Sequence, residues 1–205
     1  MAISTRAELR AAIKNWSKRT ELSDTTLDEL IALAHSEIMG RVRIRAMETR
    51  DQAFTISSEL TALPTGFREF RSVQRTAPTS GPMELYTPSV AAKTYDRSDS
   101  DTPLFYMIEG GQIRTVPGGG ATLEIVYYAD LDDFSADGET NWILTNYPGI
   151  YLFGSLKNLA PYIGHDERVP VWEKEFERLL TVMQVEDRKA SWSGAPNMPR
   201  VKSAP

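Results

Sequence analysis

The chain has no cysteine, two histidines and no long uninterrupted apolar run. Without cysteine there is no disulfide framework, no thiolate-bound zinc and no cysteine nucleophile. His35 and His165 stand alone, without the HExxH spacing that places two imidazoles on one metal. No Gly-x-Ser-x-Gly elbow occurs. The carboxylates are scattered, with no spacing that pairs two of them across a cleft. The most apolar stretch, 150–163, is broken by Lys157 and Asn158 and is too short to span a bilayer. The opening Met1-Ala2-Ile3-Ser4-Thr5-Arg6 holds no apolar signal core. These absences lead to the expectation of a protein of the cytosol, or assembled from it, with no cofactor, no metal and no membrane segment.

Positive charge is also short. Lysine and arginine number 23 against 28 aspartates and glutamates, a net charge of −5. Tight DNA binding requires a cationic patch that replaces condensed counterions. The balance here implies at most a weak attraction, which would let DNA slide past.

What is present reads as α+β, with N-terminal and C-terminal helices packed together around a central antiparallel β meander. At 205 residues the chain suits one domain and buries about 70% of its unfolded surface, so it needs no metal or disulfide to fold. Thr5-Arg6-Ala7-Glu8 is a capping box, and Leu9, Ile13 and Trp16 follow on one helical face. Thr26-Leu27-Asp28-Glu29 reads as a second box, opening a helix to about Met47. Short strands are expected at 53–56, from a turn at Leu63-Pro64-Thr65-Gly66-Phe67 through Val73, and at 83–86, with a brief helix near Pro88–Ala92. Segments 104–108, 112–116 and 121–128, separated by Gly110-Gly111 and Pro117-Gly118-Gly119-Gly120, read as the meander. Helices at 146–163 and 166–190 close the domain, the second with Val169, Trp172, Phe176, Leu179, Leu180 and Met183 on its apolar face. The resulting division is one domain over 1–192, with helices at 5–17, 26–47, 146–163 and 166–190 and a β region at 52–129. A flexible basic tail is expected at 193–205.

Candidate sites are few. Pro117–Gly120 lacks the Gly-Lys-Ser/Thr ending of a phosphate loop and reads as a hairpin. Asp130, Asp132, Asp133 and Asp137 do not match the calcium-loop spacing and read as a solvated acidic loop. Arg41, Arg43 and Arg45 form the densest basic cluster. They read either as a solvated face partly neutralised by Glu37 and Glu48, or as a contact to DNA or an acidic neighbouring subunit. Trp192 reads as a packing plug or as an anchor on a partner protein.

The order of motifs goes further. Thr5-Arg6-Ala7-Glu8-Leu9 with Trp16, Leu63-Pro64-Thr65-Gly66-Phe67 with Arg71-Ser72-Val73, and Phe105-Tyr106 with Gly110-Gly111-Gln112-Ile113 come first. Leu123–Ala129, Thr140–Thr145, Tyr151-Leu152-Phe153-Gly154-Ser155-Leu156, Trp172-Glu173 and Trp192-Ser193-Gly194 follow. In this order the chain resembles the head–tail adaptor, or head-completion, proteins of tailed bacteriophages, prophages and gene-transfer particles.

The resemblance implies a structural protein of the virion neck and not an enzyme, assembled in the host cytoplasm. It implies a homo-oligomeric ring, commonly of twelve copies, under the portal protein. Such a ring extends the DNA channel without sequence-specific binding and docks tail or stopper proteins. Trp192, Arg200 and Lys202 are then the candidates for portal or tail contact, and Arg41, Arg43 and Arg45 for the DNA channel or the contact between subunits. The competing readings are a DNA-binding regulator using those three arginines, and a hydrolase using scattered carboxylates.

Overall fold

The computed structural model describes residues 3–87, 102–164 and 166–191. They fall into two compact units, Met1–Arg45 with Asp132–Pro205, and Ala46–Leu131. Elements and contacts are those of the described residues. The brief helix expected near Pro88–Ala92 and the tail expected at 193–205 lie outside them.

The first unit is helical. Its α1, Arg6–Ser17, opens on the expected capping box: the Thr5 side chain accepts from the Glu8 N–H, and the Glu8 carboxylate accepts from the Thr5 N–H. Leu9 and Ile13 are fully buried. Trp16, expected beside them, is 49% exposed and sets its ring edge-on to Phe153 at 5.5 Å, while Ser17 takes the inner position. Next comes α2, Asp24–Arg41. It starts before the expected box because Ser23 is itself the N-cap, accepting from the Thr26 N–H at 3.1 Å. It also ends before Met47. Val42 and Ile44 are both fully buried, and residues two apart lie on different sides of a helix, so the chain leaves the helix to bury both.

The helix expected at 146–163 stands from Pro148, and a short helix not expected from the sequence precedes it. Asn141 caps a short α3, Trp142–Asn146, and Pro148 then takes the first turn of α4, Pro148–Ile163, where its missing N–H is harmless. The last helix, α5, spans Val169–Ser191 and buries Trp172, Phe176, Leu180 and Met183 of the expected face, while Val169 and Leu179 at its edges are half-buried. Ile150, Tyr151, Leu156 and Leu159 of α4 are fully buried, and α4 packs on α1, α2, α3 and α5. Gly154 makes this possible. A Cβ placed there would stand 3.0 Å from Phe176 of α5 and 3.1 Å from Ala34 of α2.

The second unit is built of strands: β1 Glu48–Ile56, β2 Leu60–Ala62, β3 Phe67–Ala77, β4 Gly81–Pro82, β5 Glu84–Leu85, β6 Phe105–Glu109, β7 Gln112–Val116 and β8 Ala121–Ala129. They make two four-stranded sheets, ordered β1-β8-β3-β4 and β2-β7-β6-β5. The expected meander is half right. β6 and β7 form an antiparallel hairpin whose tip, Gly110 and Gly111, holds both φ angles positive, at 55° and 80°. But β8 leaves for the other sheet and pairs with β1 and β3. Pro117–Gly120 is therefore a passage between sheets and not a hairpin. The reason is length and pattern. With nine residues, β8 buries every second side chain from Ala121 to Tyr127, and β1 and β3 are long enough to pair with it while five-residue β7 is not. The strand expected at 83–86 is reduced to β5, and buried Met83 separates it from β4, which lies in the other sheet. Ile56, Val73, Leu123 and Ile125 share one core cluster with Ile113 of the second sheet.

Trp172 is 4% exposed on α5. Truncation of a buried aromatic costs about 3–5 kcal/mol. Trp172→Ala is expected to lower the unfolding free energy by that amount in a denaturant titration; an unchanged midpoint would contradict the burial.

Candidate functional site

Three arrangements in the helical unit bring polar groups of different helices together. The first joins α1 to α2. Arg6 and Arg10 stand four residues apart and so share one side of α1. Both reach Asp28, Arg6 by Nε at 3.0 Å and Arg10 by Nε at 2.6 Å and Nη2 at 3.0 Å. Arg10 also holds Asp137 at 2.7 Å, and Arg6 donates to the Phe134 carbonyl. Burial works to raise the Asp28 pKa, but the bonds from Arg10 and Arg6 outweigh it and hold the carboxyl below its usual range.

The second arrangement is a polar node in the core. The Tyr151 hydroxyl accepts from Asn141 Nδ2 at 2.7 Å and lies 2.8 Å from His35 Nδ1. Asn141 meanwhile caps α3 through the Leu144 N–H and donates to the Asp132 carbonyl. Phe134 meets the Tyr151 ring edge-on at 4.9 Å. Burial pushes the Tyr151 phenol far up, so it stays neutral and serves as a hydrogen-bonding post. Tyr147 is also pushed up, to about 12, because Glu186 accepts its proton bond and burial adds to the effect. Neither phenol is a nucleophile near neutral pH.

The third concerns the predicted basic cluster, which the structure does not gather into one patch. Arg41 forks onto Glu177 at 2.6 Å and reaches Glu37 at 3.2 Å. Arg45 holds Asp187 at 3.0 Å through Nε, and its backbone N–H also points at that carboxylate. Arg43 donates to the carbonyls of Met39 and Val42. Glu37 neutralises Arg41 as expected, and it also binds Lys157 at 2.6 Å. Glu48, expected to help, pairs instead with Arg71 of β3, across the intervening β8.

The remaining sequence candidates are placed as follows. Trp192, Arg200, Lys202 and His165 lie outside the described residues. Asp130 pairs with Arg68 at 2.6 Å and Asp137 with Arg10, so the acidic run is not drawn together. No group of three or more His, Cys, Asp or Glu able to hold a metal ion occurs among the described residues. Nor is any helix there long and apolar enough to cross a membrane. Sequence reasoning missed the fork on Asp28, although Arg6 and Arg10 at helical spacing were its signal. It also missed Arg168, which donates to the Trp16 and Ser17 carbonyls at 3.1 Å and lies over the Trp172 ring at 4.9 Å.

Two outcomes are expected. Tyr151→Phe keeps the ring but leaves one of the two Asn141 Nδ2 N–H bonds without its partner, and an orphaned buried donor costs about 1–3 kcal/mol; an unfolding titration measures it. Asp28 has a depressed folded pKa, so its contribution is full above its usual value near 3.8 and is lost as pH falls through the lower folded value. Asp28→Asn is therefore expected to lower the melting temperature clearly at pH 7 and by much less at pH 2. An equal loss at both would show that the carboxylate charge is not what matters.

No curated protein matches the chain. The family model described as SU10 adaptor protein matches residues 4–200, nearly all of its 205. The helices, the sheets and the Asp28 fork thus belong to one matched stretch, in agreement with the motif order read from the sequence. The chain belongs to the SU10 adaptor protein family, a family of phage head–tail adaptors, and is a structural adaptor protein of a phage particle.

Proposed function

We propose that the protein assembles as a homo-oligomeric ring, of twelve copies, beneath the portal of a tailed phage-like particle. There it extends the DNA channel and docks tail or stopper proteins. The observation that carries this reading is the family match over 4–200. The helical unit supports it, because its ordered polar groups are spent on bracing helices against one another and not on converging upon a cavity.

DNA passes without sequence-specific contact in this reading. The net charge of −5 supports weak attraction. Arg41 and Arg45 keep 41% and 47% of their side-chain surface exposed while bound to carboxylates. With Arg43 they are assigned to the channel or to the boundary between subunits. A sequence-reading regulator would want such arginines free and side by side, and the intramolecular pairing gives that alternative less support.

Attachment to the portal is assigned to Trp192, Arg200 and Lys202. Residues 193–205 carry two basic residues and no acidic one, so an acidic surface is the fitting partner. Several copies engaging together offset weak single contacts. The test combines two measurements on a chain lacking 193–205. Its melting temperature is expected to stay unchanged, and its co-sedimentation with portal-containing heads is expected to fall. Full head binding would mean that the portal is gripped elsewhere. Cryo-electron microscopy of the neck gives the copy number directly.

A further inference from the structure

We propose that neighbouring copies meet through the outer face of α5 on one and the outer face of α2 on the next; this rests on the ring reading above. Both faces belong to the helical unit. On α5, Val171, Lys174, Arg178, Thr181, Val185 and Arg188 recur at steps of three and four, and all six are exposed. That spacing lays them along one side of the helix for about 25 Å. Val171 is 60% exposed and Val185 42%, opposite the buried side that holds Trp172 and Phe176. No acidic residue lies in the row; Glu175 stands beside it and binds Arg178 at 2.7 Å. A surface for DNA would be cationic throughout. Valines alternating with cations suit a protein face with apolar and acidic features.

The outer face of α2 has those features. Glu29, Ala32, Leu33, Ser36 and Gly40 are all exposed, and Leu33 is 58% so. Glu29 is the one charge among them, and no cation of its own chain pairs with it among the described residues. Ala32, Ser36 and Gly40 are small, and a Cβ at Gly40 would meet nothing within 4 Å, so a second helix can come close.

The spacings agree when α5 of the next copy runs antiparallel to α2. With Val185 on Leu33, Arg188 and Lys189 arrive at Glu29, which is four residues back along α2. Arg178 arrives at Gly40, seven residues forward, where there is room for it. The two faces are unlike, so the contact is heterologous, the kind that propagates around a ring. The α5 row against its own copy would set Lys174, Arg178 and Arg188 against like charges.

Because the chain has no cysteine, introduced thiols report this contact alone. Leu33→Cys and Val185→Cys are combined in the full chain, built into particles, oxidised and run on a denaturing gel without reductant. A ladder of covalent multimers is expected, absent from either single variant, since only facing thiols come within disulfide reach. Rings visible in the neck with monomer alone on the gel would overturn the pairing of faces and leave the ring reading standing. A neck in which the adaptor forms no ring would overturn both. A second measurement does not depend on the thiols. Arg188→Glu with Lys189→Glu is expected to cut incorporation at least tenfold, and adding Glu29→Lys to restore it. Loss without restoration would overturn the pairing, and loss of salt-sensitive duplex binding by the same variant would assign the row to DNA instead.

Discussion

The absence of a side chain at Gly154 is the constraint on which the helical unit turns. Three helices meet there, with Ala34 and Phe176 both within about 3 Å of where a Cβ would stand. Any larger residue would push α2 or α5 off α4, and the loss would reach past one contact. Both neighbours carry buried rows there, Leu30 to Ile38 on α2 and Trp172 to Met183 on α5. Close packing of this kind does not deform gradually, because displaced side chains forfeit contacts before they find new ones. Ser155, next along α4, is fully buried and its hydroxyl has no partner. Small volume is what that position supplies.

Charge pairs then fix what packing leaves free. Arg168 binds the last carbonyls of α1 and lies over Trp172, so one guanidinium caps a helix and covers an aromatic on another. Lys157 of α4 sits 4.2 Å over the Phe176 ring while it holds Glu37 of α2, joining three helices through one ammonium. Exposed pairs contribute little one at a time. These are partly covered and share partners, which favours a defined helix arrangement over a merely compact one.

Local signals in the sequence were reliable where the answer is local. The Thr5 capping box, the Gly110-Gly111 hairpin and the apolar face of α5 each depend on residues within a few positions of one another, and each stands as its spacing implies. Pairing of β8 was not legible. Its alternation announces a strand with one buried side, but nothing in it distinguishes β7, five residues earlier, from β1, some seventy earlier. The end of α2 failed for a related reason: helix propensity continues past Arg41, and the burial of Val42 and Ile44 decides against it. The node of Tyr151, Asn141 and His35 spans more than a hundred residues, and no local pattern marks it.

The sheet unit is an insertion. Residues 46–131 form it, and the helical unit is assembled from what lies on either side. A ribosome therefore releases α1 and α2 long before their packing partner α4 exists. The sheets can close on themselves while the first two helices wait with Leu9, Ile13, Leu27 and Ile31 uncovered. Only when α4 and α5 emerge does the helical unit have a core at all. A nascent chain cut short anywhere before residue 148 lacks the helix on which the others of this unit pack. The order of segments along the chain thus makes the helical core the last part of the molecule to close.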